Sequence, residues 1–308
     1  MTEITDIVEQ EDRKSGKDLY SYQKGAISKI FKLFEDAPED YHLLYQLPTG
    51  GGKTVIFSEI VRQYLKHHQK KVLVMTHRVE LCRQTSGMLT EFGVANKVVD
   101  STANLDDQSN YNCFVAMVET LNNRLNDDKL DISDIGLVII DEAHYNSFTK
   151  LFKFFEKSFI LGVTATPLSS NIKLPMKDNY DELIVGETIE SLIENEFLAR
   201  AETHSYNVGL TSLVVGSNGD YTVKSSEDLY TNAQMLTKLL QAYEERSKGK
   251  KTLIFNNGIN TSIHVYETFK AAGYPIAHLD NTATKKERAF ILKWFKETPN
   301  AILTSVSI

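Results

Sequence analysis

Two short polar clusters in this chain hold residue types suited to work on a phosphate. The first is Thr49-Gly50-Gly51-Gly52-Lys53-Thr54. Three successive glycines let the backbone curl so that neighbouring N–H groups point at one anion. Lys53 adds an ammonium that can reach outer phosphates, and the Thr54 hydroxyl can enter the shell of a Mg²⁺ ion. The full expression G-x-x-x-x-G-K-[ST] would place Gly where Leu47 stands, so the match is Gly50, Gly51 and Gly52-Lys53-Thr54. The plain alternative is a glycine turn. The second cluster is Asp141-Glu142-Ala143-His144. Its first carboxylate can complete a Mg²⁺ shell begun by Thr54 and phosphates. Its second can orient and deprotonate an attacking water. Otherwise the tetrapeptide is an acidic loop that caps a helix.

Both clusters need a scaffold that brings them together. An apolar run over 41–47 leads into the glycine loop, and Val55, Ile56, Ile60, Val61, Tyr64 and Leu65 follow at helical spacing. Strand, glycine turn and helix are the setting a phosphate-binding loop requires, with the positive helix end aimed at the anion. Further apolar runs at 71–76, 112–118, 136–140 and 159–163 read as strands, and 19–34 and 79–92 as helices. Strands that are apolar throughout and alternate with helices predict a parallel sheet covered on both faces. Ligand loops in such sheets lie at the carboxyl ends of the strands, which is where the polar clusters fall.

The chain has 308 residues, enough for two domains. Its net charge of −7 excludes a uniformly basic surface, so any polyanion site must be a local patch. Cys82 and Cys113 have neither CxxC nor metal spacing and read as free thiols in a reducing cytoplasm, that of a host cell if the gene is a phage's. No signal-peptide core and no membrane-length apolar run occurs, so no membrane partner is expected. Residues 1–18 read as a flexible arm, 19–170 as the first domain, 171–230 as a connector and 231–308 as part of a second domain. Within 168–235 the sequence suggests a helix at 189–197 and strands at 203–210 and 221–223. Beyond it, helices are expected at 236–243, 263–271 and 285–295, and strands at 251–255, 276–279 and 301–304. Phe154, Phe155 and Trp294 are expected in the core.

Taken in order, these clusters resemble a superfamily 2 helicase of the DEAD/DEAH-box kind, closest to the XPB-like and type III restriction-subunit branch. The glycine loop resembles motif I and Asp141–His144 motif II. Thr164-Ala165-Thr166 within Leu161-Gly162-Val163-Thr164-Ala165-Thr166-Pro167 resembles motif III. Gln23 after Tyr22 resembles the adenine-reading glutamine, although Tyr20-Ser21 stands where that branch often has Arg-Pro. Thr76-His77-Arg78 resembles motif Ia, Val118-Glu119-Thr120-Leu121 motif Ib, Thr252-Leu253-Ile254-Phe255 motif IV, and residues 301–305, with Thr304, the start of motif V.

The resemblance implies an α/β fold with two RecA-like domains, the second incomplete, that bind ATP and Mg²⁺ and move on nucleic acid, DNA in preference to RNA. It assigns Gln23, Thr49, Gly50, Gly51, Gly52, Lys53 and Thr54 to ATP, Thr54 and Asp141 to Mg²⁺, and Lys53, Asp141 and Glu142 to catalysis. His144, Thr164 and Thr166 would couple the nucleotide to movement. Thr76, His77, Arg78, Thr120 and Thr304 would meet the strand.

Bottom-up, Gln23 offers a donor and an acceptor that match an adenine edge, or is an ordinary polar helix residue. Thr76, Arg78 and Thr120 can donate to strand phosphates or cap loops and helices. His144 is a link to the γ-phosphate or a solvated loop residue. No Gln-x-x-Arg-x-Gly-Arg element follows, so the resemblance also implies low turnover and an unpaired, aggregation-prone last strand. A second polypeptide could supply the missing arginines, and the alternative function is a binding subunit that does not turn over.

Overall fold

A computed structural model describes residues 18–100, 108–126, 134–169, 171, 173–217 and 219–306. The expected arm at 1–18 lies, but for Asp18, outside the described residues. The chain divides into two compact units, Met1–Ala201 and Glu202–Ile308.

The first unit opens with α1 (Ser21–Asp36), which buries Ile27 and Ile30. It ends at Ala37, whose extended backbone is what a following proline imposes. Then come β1 (His42–Gln46), α2 (Lys53–His67), β2 (Lys71–Thr76), α3 (Val79–Glu91), β3 (Lys97–Val99), β4 (Cys113–Met117), α4 (Val118–Asn126), β5 (Ile135–Asp141), a 3₁₀ segment (Asn146–Phe154), β6 (Phe159–Thr164), β7 (Glu182–Val185) and α5 (Ile189–Glu194). The sheet is parallel throughout, in the order β3-β4-β2-β5-β6-β1-β7.

Alternation along each strand explains why both faces are apolar. Val72, Val74, Leu137, Ile139, Leu161 and Val163 join the core with Ile27 of α1, Phe57 of α2 and Leu89 of α3. Leu73, Met75, Val138, Ile140 and Ile160 face the other way, onto Leu121 of α4 and Phe148, Leu151 and Phe155. Each face is thus closed by helical elements, as a continuous apolar strand requires. No helix among the described residues is long and apolar enough to cross a membrane.

The expected connector divides between the two units. Residues 182–185 form β7 beside β1, and the helix after it, α5, is shorter than the sequence suggested. The expected strand at 203–210 is absent: that stretch is irregular up to a 3₁₀ turn at Leu210–Ser212. Tyr221 makes only an isolated bridge with Val215, and Val223 starts a helix because the Thr222 hydroxyl caps it.

The second unit holds α6 (Val223–Tyr230), α7 (Ala233–Arg246), β8 (Thr252–Phe255), α8 (Ile259–Ala271), β9 (Ile276–Leu279), α9 (Lys285–Glu297) and β10 (Ile302–Ser305). Its parallel sheet runs β8-β10-β9, and Tyr243, Val265, Phe269 and Ile302 form its core. β10 is therefore the central strand, paired on both sides and buried along its length. This overturns the expectation of an unpaired last strand. Crossover connections insert strands in an order unrelated to sequence, so the last in the chain need not be the outermost. Trp294 is half-buried rather than core, on a helix that has no buried residue.

β8 is one of the two edge strands of this sheet, with Leu253 and Phe255 on one side of it exposed. An apolar edge strand is a template for pairing between chains. Phe255 is 67% exposed, so Phe255→Lys should slow self-association in light scattering while leaving stability within about 0.5 kcal/mol. Unchanged aggregation in the variant would show that the edge lies elsewhere.

Candidate active site

The carboxyl ends of three adjacent strands, β5, β6 and β1, carry the polar residues the sequence singled out. Register explains the convergence. Asp141, the last residue of β5, pairs with Val163, and Thr164, the last of β6, pairs with Gln46 at the end of β1. The ladder continues past β5 through the Ala143 N–H, which donates to Val163 O at 3.0 Å. The loop after β1 and the loop after β5 thus open at one level of the sheet.

The glycine loop takes its shape from two left-handed residues, Gly50 at φ 84° and Gly52 at φ 83°. A Cβ on Gly52 would lie 2.6 Å from Gln23 Nε2, and one on Gly50 would lie 2.7 Å from Leu198 Cδ2. A side chain at either position would be strained by the positive φ and would have to displace that neighbour. α2 starts at Lys53, so its first free N–H groups face the loop. The Tyr22 hydroxyl donates to Gly51 O at 2.7 Å and fixes the loop to α1. Tyr22 and Tyr20 in turn pack on Phe197, with ring centroids 5.1 and 4.5 Å away.

Lys53 is nine-tenths buried. Its Nζ donates to Leu47 O at 3.4 Å and stands 4.0 Å from Glu142 Oε1. These are long contacts for a buried ammonium, and a bound phosphate would supply the close counter-charge that the protein atoms do not. Asp141 is buried, and its Oδ1 accepts the Glu142 N–H at 3.1 Å. Burial raises its carboxyl to about 6, the Glu142 charge adds to this, and the Lys53 ammonium opposes it. A buried carboxylate short of positive charge, with the Thr54 hydroxyl as a second oxygen donor at the start of α2, is a donor set of the chemistry that fits a Mg²⁺ ion shared with phosphates.

Glu142 has φ 55°, one of two non-glycine residues in the left-handed region among those described. That conformation costs roughly 1–2 kcal/mol. It turns the carboxylate toward Lys53 and His144. His144 Nδ1 lies 3.0 Å from Thr164 Oγ1 and 3.4 Å from Glu142 Oε2. The Thr164 hydroxyl donates to Thr166 O and accepts from Thr166 N, each at 3.1 Å. Thr164 Oγ1 thus links His144 to the backbone of Thr166.

Other expected site residues are placed differently. Gln23 is buried, and its Oε1 accepts the Tyr20 N–H at 2.9 Å, capping α1. It lies against the glycine loop with its carbonyl already engaged in its own helix. Thr76 is fully buried, donates to Arg78 O at 3.2 Å and sits 2.9 Å from Cys82 Sγ. Thr304 is also fully buried, accepting from Asn256 Nδ2 at 2.7 Å and lying 2.9 Å from Ser262 Oγ. Both hydroxyls are buried and engaged within the protein, so each braces its loop from within, since a strand's final residues still point alternately inward. Arg78 and Thr49 are exposed and Thr120 is half-buried. His77 turns its ring onto Tyr145, centroids 4.1 Å apart.

The family described as type III restriction enzyme, res subunit, matches residues 16–169, half of the chain. The chain belongs to that family. It is a member of superfamily 2, and its α/β units are RecA-like. A 51.5 kDa protein of Lactococcus phage (isolate 7-9) is 27% identical over 269 residues, 86% of this chain and 55% of the phage protein. IRC3 of Saccharomyces cerevisiae, named provisionally as an ATP-dependent helicase, is 26% identical, covering 94% of this chain and 44% of IRC3. The chain thus spans about half the length of these two relatives. The Hef helicase domain of Pyrococcus furiosus shares the fold, with a TM-score of 0.55, 14% identity and coverage of 92% of this chain and 85% of Hef.

Around this candidate site, sequence reasoning missed Tyr22, Phe197 and Tyr145. The aromatic flank of Gln23 was a usable signal for Tyr22; Phe197 and Tyr145 had none short of the fold.

The Asp141 environment yields a pH test. Folded, the group holds its proton up to about pH 6; unfolded, it releases it near pH 4. The folded state binds more protons in that window, so stability falls as pH rises through it and the penalty is complete above it. Asp141→Asn should therefore unfold later than the parent at pH 7.5, by roughly 2 kcal/mol, an advantage that shrinks toward pH 4. Thermal melts across that range, without nucleotide or metal, check it; a variant that melts earlier at pH 7.5 contradicts the burial argument.

Proposed function

We propose that this chain binds ATP with Mg²⁺ and couples its hydrolysis to movement on, or unwinding of, nucleic acid. The observation that carries the reading is the convergence at the ends of β5, β6 and β1. There a glycine cradle, a buried ammonium, two carboxylates and a histidine–threonine link share one level of the sheet.

The N–H groups of Gly50–Gly52 and the start of α2 hold the phosphates, and Lys53 neutralises the outer ones. Thr49 lines the rim of the cradle. Thr54 and Asp141 would hold Mg²⁺, which when bound polarises the phosphoryl oxygens. Glu142 orients water and takes its proton. Gln23 supports the loop at the base-binding end, with the adenine edge as its further partner. His144, Thr164 and Thr166 link the hydrolytic carboxylate to the β6 loop. Arg78, with Thr120 and the His77 loop, meets the strand at the ends of β2 and β4. DNA is the first partner to test, as the family resemblance implies, and RNA is the comparison arm.

Two substitutions test the reading. Lys53→Ala should lower nucleotide affinity at least tenfold, the loss of about 1.4 kcal/mol, with little change in melting temperature. Fluorescent-nucleotide titration measures it, and unchanged affinity would remove the phosphate-loop assignment. Glu142→Gln keeps the volume but cannot accept the proton. It should bind ATP–Mg²⁺ as the parent does and turn over at least ~100-fold more slowly. Parental turnover in steady-state phosphate release would mean that Glu142 is not the base.

A further inference from the structure

We propose that the His77–Tyr145 ring contact is a positioning device that ties the strand-facing loop after β2 to the hydrolytic carboxylate Glu142. The proposal rests on the functional reading above and adds a coupling route to it. In the sheet order, the candidate strand contacts stand at the ends of β4 and β2, and the nucleotide residues at the ends of β5, β6 and β1. The boundary between the two groups falls between β2 and β5. His77 follows β2 and Tyr145 lies just beyond β5, so their contact crosses that boundary.

Tyr145 grips the hydrolytic loop twice. Its N–H donates to Glu142 O at 3.1 Å, closing the turn that holds Glu142 in its left-handed conformation. Its ring packs on His144, centroids 4.4 Å apart, and His144 Nδ1 is shared between Thr164 Oγ1 and Glu142 Oε2. On the other side, the Tyr145 ring meets His77 at 4.1 Å with the planes 31° apart. His77 Nδ1 is buried and has no hydrogen-bond partner. A polar atom left in that state is costly, and its ring is held in place by packing rather than by polar bonds. The next residue, Arg78, is exposed at the surface where a phosphate would dock.

A strand that draws on Arg78 therefore shifts a ring whose contact leads to Glu142 through one tilted ring contact and one backbone hydrogen bond. The turn it reaches is already strained, so a small displacement changes the carboxylate's aim. Neither His77 nor Tyr145 touches the reacting atoms; both act through Glu142.

The test uses the 308-residue chain and reads binding linkage, which does not depend on turnover. Fluorescent ATP–Mg²⁺ is titrated with and without single-stranded DNA, and labelled DNA with and without nucleotide. The ratio of affinities is the coupling factor, and it must be the same in both directions. The parent should show a factor of about 5 or more, in the usual range for coupled sites. His77→Ala and Tyr145→Leu should bring it close to one, while nucleotide affinity without DNA stays within about twofold. Tyr145→Phe and His77→Phe, which keep the ring, should retain the parental factor, a rescue that a merely structural role would not separate from the losses. The double variant should lose no more than either single one, because both break the same contact.

Parental coupling in His77→Ala and Tyr145→Leu, with both ligands binding, would overturn the device and leave the functional reading intact. A parent whose two ligands bind without coupling would overturn it as well. A parent that binds no nucleotide would overturn the functional reading, and the device with it.

Discussion

A buried positive charge beside two carboxylates is the constraint on which the site depends. Lys53 is almost wholly removed from water, and so is Asp141. Bringing either ion out of solvent costs several kcal/mol, recovered only through close opposite charge. The Lys53 charge favours the ionised form of Asp141 and so offsets part of this. The raised Asp141 proton affinity shows that it does not cover all of it. The arrangement holds charges that lack sufficient partners within the protein, and an anion with a divalent cation is what would complete them. Groups organised in this way need no rearrangement when charge develops.

The parallel sheet is what makes such a gathering possible. Every strand of the first unit runs the same way, so all the loops that follow strands emerge at one end. Register then fixes height: Asp141 opposite Val163, and Thr164 opposite Gln46. Neither helix propensity nor loop length sets these distances. The apolar residues that close both faces of the sheet hold the strands in register, and through it the carboxylate, the hydroxyl and the glycine loop. Tyr22 adds a brace from outside the sheet, donating to Gly51 O from α1.

Much of this was readable from residue types. The runs at 71–76 and 159–163 become strands close to their expected bounds because an apolar stretch between turn residues leaves few alternatives. The glycine loop was readable because Gly52 at φ 83° admits no other residue without strain. What could not be read depends on partners distant in sequence. β7, with the pattern Glu-Leu-Ile-Val, has only one buried residue, and it becomes a strand because β1 offers it a free edge. The burial of Thr76 and Thr304 follows from the side-chain parity of β2 and β10, which is fixed by neighbouring strands. The central place of β10 is a fact of topology that chain order does not carry.

Glu142 shows why the local and global levels differ. Sequence alone marks it as a second carboxylate after an apolar strand. Folding places it in a conformation that glutamate disfavours, closed by the Tyr145 N–H and faced by Lys53 and His144. A glycine there would relieve the backbone but remove the carboxylate that faces Lys53 and His144, so strain and charge are fixed to the same residue. The cost is borne by the ladder that continues through Ala143 onto β6 and by the packing of Tyr145 against two histidine rings. A carboxylate held in this way has few positions open to it. Its aim is set by the elements that hold the turn, and a change at any of them reaches the carboxylate without touching it.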